Sequence, residues 1–167
     1  MDVLFYKKAD CEAAIRIVEL LAREIWPEYY TSIIGSAQVD YMLDHFQSAA
    51  AIEEQIREGY GYYLIMYGKI PVGYLSVMSE PEKGRLFFSK LYLLSVYRGQ
   101  GFGRQAVNFV EKTAREAGLS MVALMVNKKN LSAISFYEHC GFKNAGTVLK
   151  DIGGGFAMDD YLFEKFV

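Results

Sequence analysis

The sequence predicts a mixed α/β fold built on one central sheet. Three observations carry that expectation. Apolar residues recur at helical spacing in the first sixty positions and again after residue 102. Three β-prone segments, 60–67, 70–78 and 85–94, follow one another in the middle of the chain. Met121 to Val126 is an unbroken apolar run, the pattern of a strand covered on both faces.

Each element has its own local warrant. Residues 3–6 read as a short first strand. Asp10 suits an N-cap, and Ala13, Ile15, Val18, Leu21 and Ile25 then form a helical stripe that Pro27 is expected to end or kink. Segments 37–46 and 48–58 read as helices, with Gly59 as a stop. Gly68-Lys69 is a turn between two β-prone segments, the first rich in Tyr, which predicts a hairpin, and 85–94 extends it to a three-strand meander. Phe102, Ala106, Phe109, Val110 and Ala114 line one face of a further helix, with Glu111 and Arg115 opposite at ion-pair spacing and Gly118 as its stop. Asn130 to Cys140 reads as a last helix, ended by Gly141. Strands 142–149 and 156–166 flank Gly153-Gly154-Gly155.

Composition bounds the function. At 167 residues the chain is read as a single domain, 1–167, large enough to bury a core without disulfides or metals. Hydrophobic residues at 52% and charged residues at 23% exclude a disordered chain. A net charge of −2 argues against a nucleic-acid binder driven by bulk charge. Only Cys11 and Cys140 are present, with His45 and His139, so neither a disulfide framework nor a metal site is expected and the setting is read as cytoplasmic. The apolar run after Met1 is too short for a signal-peptide core, and no stretch approaches membrane-spanning length. The aromatic excess, 15% of the chain, suggests a homodimer.

The chemistry concentrates at Tyr97-Arg98-Gly99-Gln100-Gly101-Phe102-Gly103-Arg104. Three glycines where a chain enters a helix expose amide N–H groups that the helix itself cannot pair. Those groups and the positive helix end suit a pyrophosphate, and Arg98 and Arg104 add charge at the same place. The spacing G-x-G-x-G is neither the dinucleotide fingerprint G-x-G-x-x-G nor a P-loop.

What matches is Arg98-x-x-Gly101-x-Gly103 after Leu91-Tyr92-Leu93, which resembles the acetyl-CoA signature of the GNAT superfamily of N-acetyltransferases, R/Q-x-x-G-x-G/A. Downstream, Asn130-Leu131-Ser132-Ala133 through Tyr137, followed by Gly141-Phe142, resembles the family's second signature, N-x-x-A-x-x-x-Y. The resemblance implies a three-layer α/β/α fold. Its mostly antiparallel sheet is splayed between the fourth and fifth strands. It implies acetyl-CoA as cosubstrate and direct attack by a primary amine in a ternary complex. Carried over residue by residue, it implies that Leu91, Tyr92 and Leu93 offer backbone groups to the pantetheine and the acetyl carbonyl. The turn Arg98, Gly99, Gln100, Gly101, Phe102, Gly103 and Arg104 holds the pyrophosphate through its amides, and Asn130 bonds the pantetheine arm. Tyr137 gives the leaving sulfur its proton, a role suited to a phenol neutral at pH 7.

Acceptor recognition is expected in the segments 26–41 and 151–161. Trp26, Tyr29, Tyr30 and Tyr41 are candidates for an aromatic wall, and Asp159 and Asp160 for attracting a cationic amine. Met125 stands where some relatives carry a glutamate base, leaving Glu28, Asp159, Asp160 or a water held by Asn127 as alternatives. Adjacent helical residues diverge by about 100°, so His139 and Cys140 are not a dyad. Two rival functions remain at this point: a catalytically silent acyl-CoA-binding module, and a transferase of longer acyl groups. The acceptor amine, a small molecule or a peptide, is not identified by the sequence.

Overall fold

The structure is a computed structural model that describes residues 3–167. Met1 and Asp2, which belong to the amino-terminal segment read above, lie outside the described residues. The elements run β1 (Phe5–Lys8), α1 (Glu12–Ile34), α2 (Ser36–Phe46), α3 (Ala49–Arg57), β2 (Gly61–Tyr67), β3 (Ile70–Glu80), β4 (Arg85–Leu93), α4 (Phe102–Glu116), β5 (Met121–Asn127), α5 (Leu131–His139), β6 (Lys143–Gly153) and β7 (Phe156–Phe166). The strands form a seven-stranded mixed sheet in the order β1-β2-β3-β4-β5-β7-β6, the fold class the sequence predicts. β1–β2, β2–β3, β5–β7 and β6–β7 are antiparallel and β4–β5 is parallel. The parallel register runs from Arg85↔Met121 to Phe87↔Ala123, while β4 continues to Leu93 and β5 to Asn127.

The chain divides into two compact units, one comprising the residues up to Met78 with Lys90–Ala106, the other Ser79–Ser89 with Val107–Val167. In the first, α1 buries Val18, Leu21, Ala22, Ile25 and Trp26. This helix runs through Pro27 instead of ending there. Pro27 sits on the exposed face, where the carbonyl it leaves unbonded meets water, and the buried stripe on the other face holds the helix together. The first strand lies two residues later than expected, and the N-cap of α1 is Cys11, not Asp10. Ser48 caps α3 by accepting from the Ala51 amide at 3.2 Å. Gly68, at φ 60°, closes the β2–β3 hairpin as its turn demands.

In the second unit Val122, Ala123, Leu124 and Val126 are buried, but Met125 is 40% exposed, so the strand is not covered on both faces along its whole length as the apolar run predicts. Glu111 is itself buried and pairs with Lys165 of β7 at 2.7 Å instead of Arg115, because it points to the sheet and not to solvent. The terminal hairpin is longer than expected, with β6 reaching the glycine turn at residue 153.

Candidate active site

In the first unit, β3 and β4 come into backbone contact at the strand end the sequence singles out. A methyl built on Gly73 would lie 2.2 Å from the Tyr92 carbonyl oxygen and 2.9 Å from Leu93 Cδ2, so only glycine admits this approach. Leu94 donates its amide to Val72 at 2.9 Å, which fixes where the strand leaves the sheet. A single 3-10 turn over Ser95–Tyr97 then leads to the glycine turn.

Gly99 and Gly101 adopt left-handed φ of 73° and 83°, and a Cβ at either would meet nothing within 4 Å. Open space therefore lies beside the turn. The Gln105 amide donates to the Gly101 carbonyl at 3.1 Å, so α4 begins there and the amides of Phe102 and Gly103 precede any intrahelical acceptor. Gln100 donates its side-chain amide to the Val96 carbonyl at 2.7 Å and braces the turn. The Phe102 ring is buried against Tyr67 and Tyr97, leaving only its backbone for a ligand. Arg104 is exposed on the first turn of α4.

Arg98 is placed differently from the rest of the turn. Its Nη1 and Nη2 each reach the Glu28 carboxylate at 2.9 Å, Nε donates to the Leu93 carbonyl at 3.0 Å, and the guanidinium lies 4.9 Å from the Tyr29 ring centre. The side chain thus ties α1 to the strand end, and Glu28, one of the candidate bases, is held in that ion pair.

Trp26 is buried and not part of an open wall. It stacks on Tyr30 at 4.4 Å, meets Tyr92 edge-on at 5.3 Å, and donates to the Tyr74 hydroxyl at 3.3 Å, which donates in turn to Gln47 at 2.8 Å. Tyr29 and Tyr30 are half-buried beside it and in edge contact with each other. Tyr41 leaves this group and stacks on His45 at 3.9 Å.

One polar group of this unit was not singled out by sequence reasoning. Lys90, one residue before Leu91, donates to Gln55 Oε1 at 2.9 Å and lies over the rings of Tyr60 and Tyr62. Burial pushes its ammonium down to about 7. A lysine in the apolar alternation of residues 85–94 was the available signal.

In the second unit, Asn130 is buried and accepts from the Ala133 amide at 3.3 Å, capping α5. Tyr137 is half-buried seven residues on, its ring edge-on to Phe88, Phe136 and Phe142. Asp159 is paired with Lys128 at 2.8 Å, and Lys128 also lies over the Tyr161 ring. Asp160 is 3% exposed, its Oδ1 finds no hydrogen-bond partner, and burial together with the Asp159 charge pushes it up to about 6 against the pull of Lys128. His139 bonds the Ser135 carbonyl while Cys140 is buried, so the two do not act together. Among the described residues no three His, Cys, Asp or Glu side chains are grouped to hold a metal, and no helix is long and apolar enough to cross a membrane.

The family model for "Acetyltransferase (GNAT) family" matches residues 19–142, a stretch that contains both signatures. The chain belongs to the GNAT acetyltransferase family. An uncharacterised N-acetyltransferase of Mycobacterium tuberculosis is 34% identical over 96 residues, 58% of this chain and 61% of that protein. N-acetyltransferase 8F1 of Mus musculus is 26% identical over 140 residues, 81% of this chain and 59% of that one. The chain thus spans about three fifths of these curated relatives, and about half of an uncharacterised N-acetyltransferase of Bacillus subtilis. Among solved structures, a GCN5-related N-acetyltransferase of Rhodopseudomonas palustris superposes with a TM-score of 0.82 at 14% identity, covering 100% of this chain and 98% of that one. The PaiA N-acetyltransferase of Thermoplasma acidophilum, solved with coenzyme A, gives 0.75 at 17% identity over 99% of both chains. These similarities establish the fold of this family member.

Proposed function

We propose that this GNAT chain, acting as one domain over residues 1–167, is an acetyl-CoA-dependent N-acetyltransferase that acetylates a primary amine in a ternary complex. The observation that carries the reading is the turn at Gly99–Gly103. Its left-handed glycines, open flank and helix-initial amides fit a diphosphate, and a GNAT relative of the same fold is known with coenzyme A. Acetyl-CoA supplies the activated acyl group as a thioester. In this reading the amides of residues 99–104 bind the diphosphate, and the backbone of Leu91–Leu93 positions the reacting carbonyl and steadies charge on its oxygen. Asn130 orients the pantetheine arm. The Tyr137 hydroxyl gives its proton to the departing sulfur, and its ring is held for this by Phe88, Phe136 and Phe142.

Two measurements test the proposal. Calorimetry with coenzyme A is expected to show stoichiometric binding that free NAD does not mimic. A thiol-release screen with acetyl-CoA over small amines, polyamines, amino sugars and peptide amines is expected to give turnover with at least one class. Binding without thiol release from any amine would leave a silent acyl-CoA-binding module, and faster release from longer thioesters would shift the reading to another acyl group.

A further inference from the structure

We propose that Lys90 is the general base that removes the proton from the acceptor's ammonium group, held for that task by Gln55. The role rests on the acetyl-transfer reading above and adds the group that reading lacks. Lys90 lies on β4 directly before Leu91–Leu93, the strand end proposed to receive the reacting carbonyl. Its Nζ is fixed from one side by Gln55 Oε1 at 2.9 Å, an oxygen that also accepts from the Tyr62 hydroxyl. The rings of Tyr60 and Tyr62 lie 5.5 and 5.2 Å from Nζ, and the residue is half-buried, so one side stays open for a proton to leave.

The groups facing Lys90 explain why it serves as a base. From α3 comes Gln55, an uncharged acceptor, while the charged residues Glu53, Glu54 and Arg57 of that helix pair with one another. From β2 comes Tyr62, whose hydroxyl burial pushes far above its ordinary range, so it stays neutral, and Tyr60 precedes that strand. Burial in these surroundings lowers the lysine to about 7, where half the population carries a lone pair at neutral pH. A base poised near the working pH transfers protons most effectively. The N–H given to Gln55 holds Nζ in place. The step balances simply: the acceptor's N–H bond breaks, its electron pair stays on the acceptor nitrogen, the proton bonds to Nζ, and Lys90 later returns it to water. Of the carboxylates considered from sequence, Glu28 is engaged with Arg98 and Asp159 with Lys128, while Asp160 is buried within β7.

The test pairs a titration that needs no acceptor with a pH profile that does. With lysines labelled at 13Cε, one resonance is expected to titrate near pH 7, to vanish in Lys90→Met, and to move alkaline by a pH unit or more in Gln55→Glu, whose carboxylate favours the ammonium. With an amine found by the screen, kcat/KM should rise along an acid limb with the same midpoint, and that limb should keep its place for acceptors of different basicity. Lys90→Met should lower kcat/KM by about 100-fold or more and abolish the limb, and Gln55→Glu should carry the limb alkaline in step with the resonance. A Lys90 titrating like an ordinary lysine, a limb unmoved in Gln55→Glu, or near-normal activity in Lys90→Met overturns this role alone. Coenzyme A binding without thiol release from any amine overturns the acetyl-transfer reading and this role with it.

Discussion

Arg98 and Glu28, 70 residues apart, meet as a two-pronged ion pair with both N···O distances at 2.9 Å. The pairing separates two tasks that the sequence had merged in one residue. The turn presents amides to the solvent side, while the arginine of the signature points to α1 and to the Leu93 carbonyl.

That geometry predicts a structural role for the Arg98 side chain. Both partners are partly exposed, so screening keeps the interaction small. A double-mutant cycle of Glu28→Ala and Arg98→Ala is expected to give a coupling of about 1 kcal/mol in urea unfolding. Glu28→Gln should leave coenzyme A affinity within about 3-fold of wild type. A change above tenfold in calorimetry would instead make the guanidinium a phosphate ligand for which Glu28 competes.

The Gly73 contact predicts a severe and local effect. A methyl there runs into the backbone oxygen of Tyr92, which cannot swing aside, so β3 and β4 must part. Gly73→Ala is expected to cost several kcal/mol of stability, with Tm falling accordingly. Gly61→Ala in the neighbouring strand is the control. Its methyl would sit 3.5 Å from Tyr63 and 3.7 Å from Val77, ordinary contacts, and should change stability by less than about 1 kcal/mol. Equal effects of the two substitutions would refute the steric account.

Gly101 separates folding strain from ligand binding. At φ +83° with open space around it, Gly101→Ala should cost only the left-handed penalty, about 1 kcal/mol. Reorienting the turn's amides should nevertheless weaken coenzyme A by more than tenfold. Gly118→Ala carries the same kind of strain at φ +73° beyond the end of α4, and is expected to leave that affinity alone. Parallel losses in both variants would remove the turn from the binding site.

Much of this architecture was legible in the sequence because short-range rules dictate it. Gly68 marks a hairpin, the run Met121–Val126 marks a strand buried except at Met125, and the spacing of Phe102, Ala106, Val110 and Ala114 marks a face that is in fact buried. The misreadings arise where long-range packing decides. Pro27 breaks no helix because α1 is held by its opposite, buried face. Trp26, a candidate for an aromatic wall, lies in the core, where Tyr74, 48 residues away in sequence, accepts its N–H. Lys90 escaped notice because nothing local to β4 reveals that Gln55 and Tyr62 close around it.

Tyr137→Phe tests the proposed acid. The ring keeps its contacts with Phe88, Phe136 and Phe142, so stability should change by less than about 1 kcal/mol. If the hydroxyl protonates the leaving sulfur, kcat should fall by about 100-fold or more while coenzyme A affinity stays unchanged. Steady-state thiol release beside calorimetry checks both, and an unchanged kcat would dismiss the role.

Asp160 gives a pH dependence whose sign is fixed by its burial. Its carboxyl is raised to about 6 in the folded chain from an ordinary value of 3.8. Between those values the folded state holds a proton that the unfolded state releases, so the stabilisation is fully present below about pH 4. It drains away as pH rises through 6 and is flat above that. The pull of the Lys128 ammonium is already contained in that value, and the rise corresponds to an effect on the order of 3 kcal/mol. Asp160→Asn cannot ionise. The stability of this variant minus that of wild type, from urea unfolding at a series of pH values, is therefore expected to grow by that amount between pH 4 and pH 7. A difference that stays constant across this window would show that Asp160 ionises in the folded chain as freely as in the unfolded one.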